Sequence, residues 1–214
     1  PNVGGLAGQS TVPLDNELFN GNAGTPGGPN GVVGPYGLGV RVPLLVVSPW
    51  SAGGWVSSET FDHTSLIRFM EARFGVDEPN ITPWRRAICG DLTPAFAFER
   101  APDSVPTLPN VDSYKPTGTA SASYHPTPPP VGSVPVQEPG VRPSRRLGYR
   151  FRVDFEADSK NLNLAVNNRG RLGVHLQARS LTIPGAPFSY TIGAGDKLSV
   201  ALANPGTYDL SVHG

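Results

Sequence analysis

The stretch Gly37–Gly75, GLGVRVPLLVVSPWSAGGWVSSETFDHTSLIRFMEARFG, decides how this chain is read. It has the pattern strand, loop, helix. Val42 to Val47 (VPLLVV) is an apolar run of strand length, rich in β-branched residues, with no polar alternation. Such a run suits a strand buried on both faces, as in a parallel sheet. Ser48-Pro49 and Gly53-Gly54 break it. A helix is expected from about Asp62 to Ser65, any of which could cap the free amides of a first turn. Leu66, Ile67, Met70 and Phe74 then fall on one face, and Gly75 sits where a left-handed cap closes a helix. Ligands in open α/β sheets lie beyond the carboxyl ends of strands. Chemistry in this chain is therefore expected in the loop from Ser48 to His63.

A strand buried on both faces needs neighbouring strands, and one strand with two short helices cannot build a doubly wound sheet. The chain is accordingly read as part of a larger protein, cut at both ends. Val42 to Val47 is expected to be an interior rib whose neighbours come from other polypeptide. Finding it at the surface, or finding a self-sufficient core in these residues, would overturn that reading and any functional assignment hung on it.

Composition narrows the classes. The 17 basic and 17 acidic side chains of the 214 residues cancel, which gives no support for a nucleic-acid partner. With a single cysteine, Cys89, there is neither an internal disulfide nor a cysteine metal cluster. No apolar run reaches membrane-spanning length, and no signal peptide stands at Pro1. The 26 glycines and 24 prolines predict long irregular stretches.

Residues 1–36 read as an extended loop with a short strand near Gln9 to Leu14. Together with the central unit, residues 1–100 form the α/β part. Within it, Thr82 and Pro83 start a short helix as N-cap and first helical residue, with Trp84, Ala87 and Ile88 as its apolar side. Cys89 beside them reads as a buried, inert thiol. Residues 101–146, with PTPPPVGSVP at Pro126–Pro135, read as a polyproline-like linker. From 147 to 214 the period becomes two. Tyr149, Phe151, Val153 and Phe155 alternate with Arg150, Arg152, Asp154 and Glu156, and similar runs centre on Leu164, Leu176, Tyr190, Val200 and Leu210. Short alternating strands between Asn, Gly, Pro and Asp turns predict an antiparallel β-sandwich. This one is thin enough to lean on a neighbour or to lack strands.

Several of these segments resemble a known family. The Gly37–Gly75 string and EPNITPWRRAICGDLTPAFAF resemble the C-terminal part of the catalytic domain of bacterial phosphocholine-specific phospholipases C. These enzymes sit with an acid phosphatase group in the alkaline-phosphatase-like superfamily. QEPGVRPSRRLGYRFRV, VNNRGRLGVHLQ, AGDKLSVAL and YDLSVHG resemble the small β domain that follows in those enzymes. The resemblance implies a secreted or periplasmic hydrolase that splits phosphatidylcholine or sphingomyelin at a membrane surface into a lipid and phosphocholine. It also implies that the nucleophile and the metal-type motif precede Pro1. Any divalent metal would then be held by residues outside this chain, no catalytic residue lies within it, and the chain alone is expected to be inactive. Its partners would be the rest of the enzyme polypeptide and the phospholipid substrate. Two other readings remain open: a non-catalytic β module that docks lipid, glycan or enzyme, and a related phosphomonoesterase or sulfatase-like hydrolase.

The candidate site residues lie in and near the strand-end loop. Trp50 and Trp55 could hold a quaternary ammonium against their ring faces, or pack on the glycine-rich loop. Asp62 and His63 could support an active site from behind, or serve as helix cap and packing residue. Ser57 is a further supporting candidate, but no nucleophile elbow surrounds it. Arg41 is expected to brace a carboxylate or backbone carbonyls.

Overall fold

A computed structural model describes residues 8–20, 33–99, 107–113, 131–132, 136 and 139–214. Their elements are β1 (Gly8–Ser10), β2 (Leu18–Asn20), β3 (Val33–Pro35), α1 (His63–Phe74), α2 (Pro83–Ile88), a 3-10 turn at Thr93–Ala95, β4 (Phe151–Ala157), β5 (Asn161–Asn168), β6 (Val174–Arg179), β7 (Phe188–Ile192), β8 (Lys197–Ala203) and β9 (Ser211–His213).

The alternating segments after residue 147 make two sheets. One has the order β4-β5-β8 and the other β1-β7-β6-β9. In the first, Val153 pairs with Val166 and Val166 with Leu198, all antiparallel. In the second, Leu176 pairs with Tyr190 and Ala178 with Val212. Every second residue of β5, β6 and β7 points inward, so Leu162, Leu164, Val166, Val174, Leu176, Phe188, Tyr190 and Ile192 share one buried core between the sheets. Burial of each such side chain contributes about 1.5–3 kcal/mol. Asn168 is a buried polar exception with a reason. Its amide donates to the carbonyls of Leu172 and Gly193 at 2.8 and 2.9 Å, and its Oδ1 accepts from Gly170 N. It thereby closes the turn into β6.

The sandwich draws on the opposite end of the chain. β1 adds to β7 in parallel, with Gln9 opposite Tyr190, and Thr11 N donates to Thr191 O at 3.0 Å. α2 seals the same region. Trp84 is buried, and its indole donates to Thr191 Oγ1 at 2.9 Å. Gly173 N donates to Ala87 O at 2.8 Å. A Cβ at position 173 would stand 2.8 Å from that same carbonyl, so the approach requires glycine. Trp84, Ile88 and Cys89, with Val12 and Leu14 against them, form a second small core.

α1 has the ends expected of it. Asp62 caps it by accepting from Thr64 N and Ser65 N, Ser65 Oγ in turn accepts from Asp62 N, and Gly75 closes it at φ 67°. Its apolar face is not buried, however. Leu66, Ile67, Met70 and Phe74 are all exposed, Phe74 to 68%.

Val42–Val47 also departs from the sequence reading. The run belongs to no strand, and Leu45 and Val47 are 86% and 89% exposed. Within this chain the expected interior rib does not exist. An inner parallel strand must satisfy both rows of backbone groups with neighbours, and none of the described strands runs beside it. In the chain taken alone the described residues form a β-sandwich with two short helices, and no α/β sheet is seen among them. β4 is also less covered than its alternation suggests, with Phe151 and Phe155 partly open at the edge.

The antiparallel pair β2–β3, with Phe19 opposite Gly34, was not foreseen, because three-residue strands among glycines and prolines give no periodic signal. The stretches 1–7, 21–32, 101–106 and 114–130, with most of the expected linker, lie outside the described residues.

Candidate functional site

Two arrangements of polar side chains stand on this frame. The first is built on the α1 cap. Asp62 Oδ1 accepts from Thr64 N at 2.8 Å, while its Oδ2 takes Arg85 Nη1 at 2.8 Å. Arg85 reaches on with Nη2 to Glu17 Oε1 at 2.6 Å and to Gly37 O at 2.7 Å. The other oxygen of the buried Glu17 accepts from Thr82 Oγ1 at 2.8 Å. Burial would raise the Asp62 carboxyl, but hydrogen bonds from Thr64 and Arg85 outweigh it and hold the group below its ordinary value. Both carboxylates and both terminal nitrogens of Arg85 are committed, so the trio serves as a brace between the N-terminal segment, α1 and α2.

Cys89 lies beneath it. Burial, with Asp62 nearby, pushes its thiol up to about 12, which removes it as a nucleophile at neutral pH. His63 is exposed at the start of α1 and has no hydrogen bond or ion pair among the described residues. The same holds for Arg41, which does not make the brace expected of it.

The second arrangement is a cleft of about 950 Å³ between the loop before α1, the segment after α2, and the start of the sandwich. Val56 holds its wall through a parallel bridge with Ser144: Val56 N donates to Pro143 O at 2.9 Å and Arg145 N to Val56 O at 2.8 Å. Trp55 lies on the cleft, and the Arg145 guanidinium carbon stands 4.5 Å from its ring centroid. One face of Trp55 is thus already taken by a cation. Arg68, Arg146, Arg171 and Glu59 also line the space. Glu59 lies tight against Gly90, where a Cβ would come 2.1 Å from its Oε1. Burial raises the Glu59 carboxyl, against the opposing pull of Arg171. Glu59 Oε2, Ser57 Oγ, and Arg145 Nε and Nη2 are buried without a hydrogen-bond partner among the described residues.

Trp50 stands apart from Trp55 in an aromatic group. Its ring centroid is 6.0 Å from that of Phe98, which stacks on Phe96 at 5.0 Å, and Trp50 O accepts from Ala97 N at 2.9 Å. The candidates from the sequence therefore divide. Asp62 belongs to the brace, Trp55 to the cleft and Trp50 to the aromatic group, while Ser57, its Oγ buried, lies in the segment between Trp55 and Glu59 and does not line the cleft. Sequence reasoning missed Arg85, Glu17, Glu59 and Arg145. Arg85 lies 23 and 68 positions from its two carboxylates, a spacing that carries no local signal. Among the described residues, no three His, Cys, Asp or Glu side chains could together hold a metal ion. None of the described helices is long and apolar enough to cross a membrane.

Comparison with known proteins matches both parts of the chain. Residues 12–77 match the model of the Phosphoesterase family, and residues 143–214 match that of the bacterial phospholipase C C-terminal domain. The chain is 45% identical, over 97% of its length, to a protein named non-hemolytic phospholipase C from Burkholderia pseudomallei. A non-hemolytic phospholipase C from Pseudomonas aeruginosa is also 45% identical, over 84% of the chain. Phospholipase C A of Mycobacterium tuberculosis is 51% identical over 39% of it. The chain spans 30% of the length of the first relative, 27% of the second and 16% of the third.

Proposed function

We propose, on the premise that this chain is similar to the C-terminal part of bacterial phospholipases C, that it is the C-terminal portion of such an enzyme. The longer protein hydrolyses the phosphodiester of phosphatidylcholine or sphingomyelin and releases phosphocholine. It acts outside the cytoplasm, in the periplasm or after secretion. The observation that carries this reading is the 45% identity to a phospholipase C across almost the whole chain.

The attacking nucleophile and any divalent metal belong to polypeptide outside this chain. Catalysis there is phosphoryl transfer to a nucleophile followed by hydrolysis, driven by positioning and charge stabilisation. The present chain contributes a flank of that domain and the β module that follows. This reading assigns a cover to two exposed apolar surfaces. The α1 face of Leu66, Met70 and Phe74 and the Val42–Val47 run would pack on the remaining polypeptide, the run adding to its sheet as a strand. Large contiguous apolar exposure is the mark of a surface that is covered in use. Trp50 and Trp55 remain the candidate choline contacts, with Ser57, Asp62 and His63 behind them.

The test is product analysis. Expression of the longer polypeptide should yield an enzyme that converts phosphatidylcholine to diacylglycerol and phosphocholine, while the 214-residue chain releases neither. Release of free choline or of a fatty acid, in place of phosphocholine, would refute the assignment.

A further inference from the structure

The half-buried Arg145 has one guanidinium edge that is buried and unfilled among the described residues. The two nitrogens without partners, Nε and Nη2, carry the parallel N–H bonds of the side-on fork, the edge that receives two oxygens of a carboxylate or phosphate. The group cannot turn this edge freely. Its own backbone is tied to Val56 O at 2.8 Å, and its plane lies over Trp55, 4.5 Å from the ring centroid. Leaving two such donors buried and unmatched is costly, and few native structures retain them.

The surroundings favour an anion. The cleft is lined by Arg68, Arg86, Arg145, Arg146 and Arg171 against Glu59, Asp91 and Glu99. Arg86 is already matched, since it pairs with Glu71 at 2.8 Å and Asp77 at 3.2 Å. Arg146 and Arg171 have no carboxylate within pairing distance among the described residues. Glu59, Asp91 and Glu99 oppose an anion, against the five arginines. The Glu59 Oε2 also lacks a hydrogen-bond partner among the described residues, and burial raises its carboxyl against the pull of Arg171. The space of about 950 Å³ exceeds what a bare phosphate fills and accommodates a phosphate carrying an organic substituent.

We infer that this cleft is a binding site for a phosphate group, held side-on by Arg145 on its Trp55 platform, with Arg171 and Arg146 supplying the remaining charge. The inference rests on this chain's own residues and is independent of where the phosphodiester is cleaved. The phosphate could be a soluble ester or a lipid headgroup, and the two sources are separable.

The experiment titrates the full 214-residue chain with inorganic phosphate and with phosphocholine by calorimetry. In parallel, it measures sedimentation with vesicles of phosphatidylglycerol against vesicles of phosphatidylcholine. Arg145→Ala, Arg145→Lys and Arg171→Gln are compared with the parent chain, with thermal melting to verify that each is folded. Binding of a soluble phosphate that weakens about tenfold or more in Arg145→Ala, and substantially in Arg145→Lys, supports the site with a soluble ligand. Lysine keeps the charge and loses the fork. Vesicle binding with the same Arg145 dependence, and no soluble binding, supports it with a lipid headgroup. No binding in either arm, or binding that Arg145→Lys and Arg145→Ala leave unchanged, overturns it. Loss of phospholipase activity in the longer protein would leave these titrations untouched, so the two readings fail separately.

Discussion

The guanidinium of Arg85 meets the carboxylate of Asp62 at 2.8 Å while that carboxylate also caps α1. One side chain thus ends a helix and anchors a neighbouring one. On its far side Arg85 holds Glu17, whose side chain is 3% exposed, at 2.6 Å. Removing the arginine leaves a buried carboxylate without a counter-charge. Arg85→Met is expected to cost about 3 kcal/mol, measured by urea unfolding; a loss below about 1 kcal/mol would show that the trio is only a surface pairing.

The same contact sets an acid limb. The folded Asp62 carboxyl is held below its ordinary value. Its contribution is therefore present above the unfolded value of about 4 and is lost as pH falls through the lower folded value. Asp62→Asn should lower stability at neutral pH and flatten its decline in acid. An unchanged slope between the parent and this variant would contradict the assignment.

His175 supplies a separate limb at higher pH. Its Nδ1 stands 3.0 Å from Thr191 Oγ1, which already accepts from Trp84 Nε1. The Thr191 hydroxyl, with one proton and two lone pairs, thus joins the indole and the imidazole. Burial lowers the pKa of His175, so the stability it contributes is complete above the unfolded value of about 6.5 and is lost as pH falls toward the folded one. Denaturation midpoints should drop between neutral and mildly acid pH, and His175→Gln should remove that drop. Equal slopes in both proteins would remove His175 as its source.

For Trp50 and Trp55, the expectation concerns the longer enzyme. A ring face that holds choline contributes up to about 2 kcal/mol when dry. Trp50→Ala or Trp55→Ala should therefore weaken turnover of choline phosphodiesters more than that of ethanolamine analogues. Because Arg145 already covers one face of Trp55, Trp50 should show the larger effect. Equal losses on both substrates would reduce both residues to packing.

How much of this was legible depended on range. The strands around Leu164, Leu176, Tyr190 and Val200 were readable because alternation is local and their core faces their own sheet partners. The caps at Asp62, Gly75 and Thr82 were readable for the same reason. The addition of β1 to β7 and the bond from Trp84 to Thr191, 107 positions apart, were not, since nothing near Gln9 or Trp84 encodes the partner. Family resemblance was legible in whole strings of residues, but the Asp62–Arg85–Glu17 brace and the Arg145 cleft depend on long-range placement.

Val42–Val47 is the instructive case. Apolarity reports that a segment is buried in its final setting, and it carries no information about which polypeptide covers it. Surface exposure contradicts an interior rib, and exposure is what this chain has. An unpaired rib awaiting its neighbours and a surface loop look alike in isolation, so the similarity to phospholipases C, not the strand, now supports the reading.

Amide hydrogen exchange at Leu44, Leu45, Val46 and Val47 distinguishes them directly. The account predicts fast exchange in the 214-residue chain and strong protection in the longer polypeptide, where these amides join a sheet. Fast exchange in both would contradict it, because the run would then be a surface loop in the whole enzyme as well.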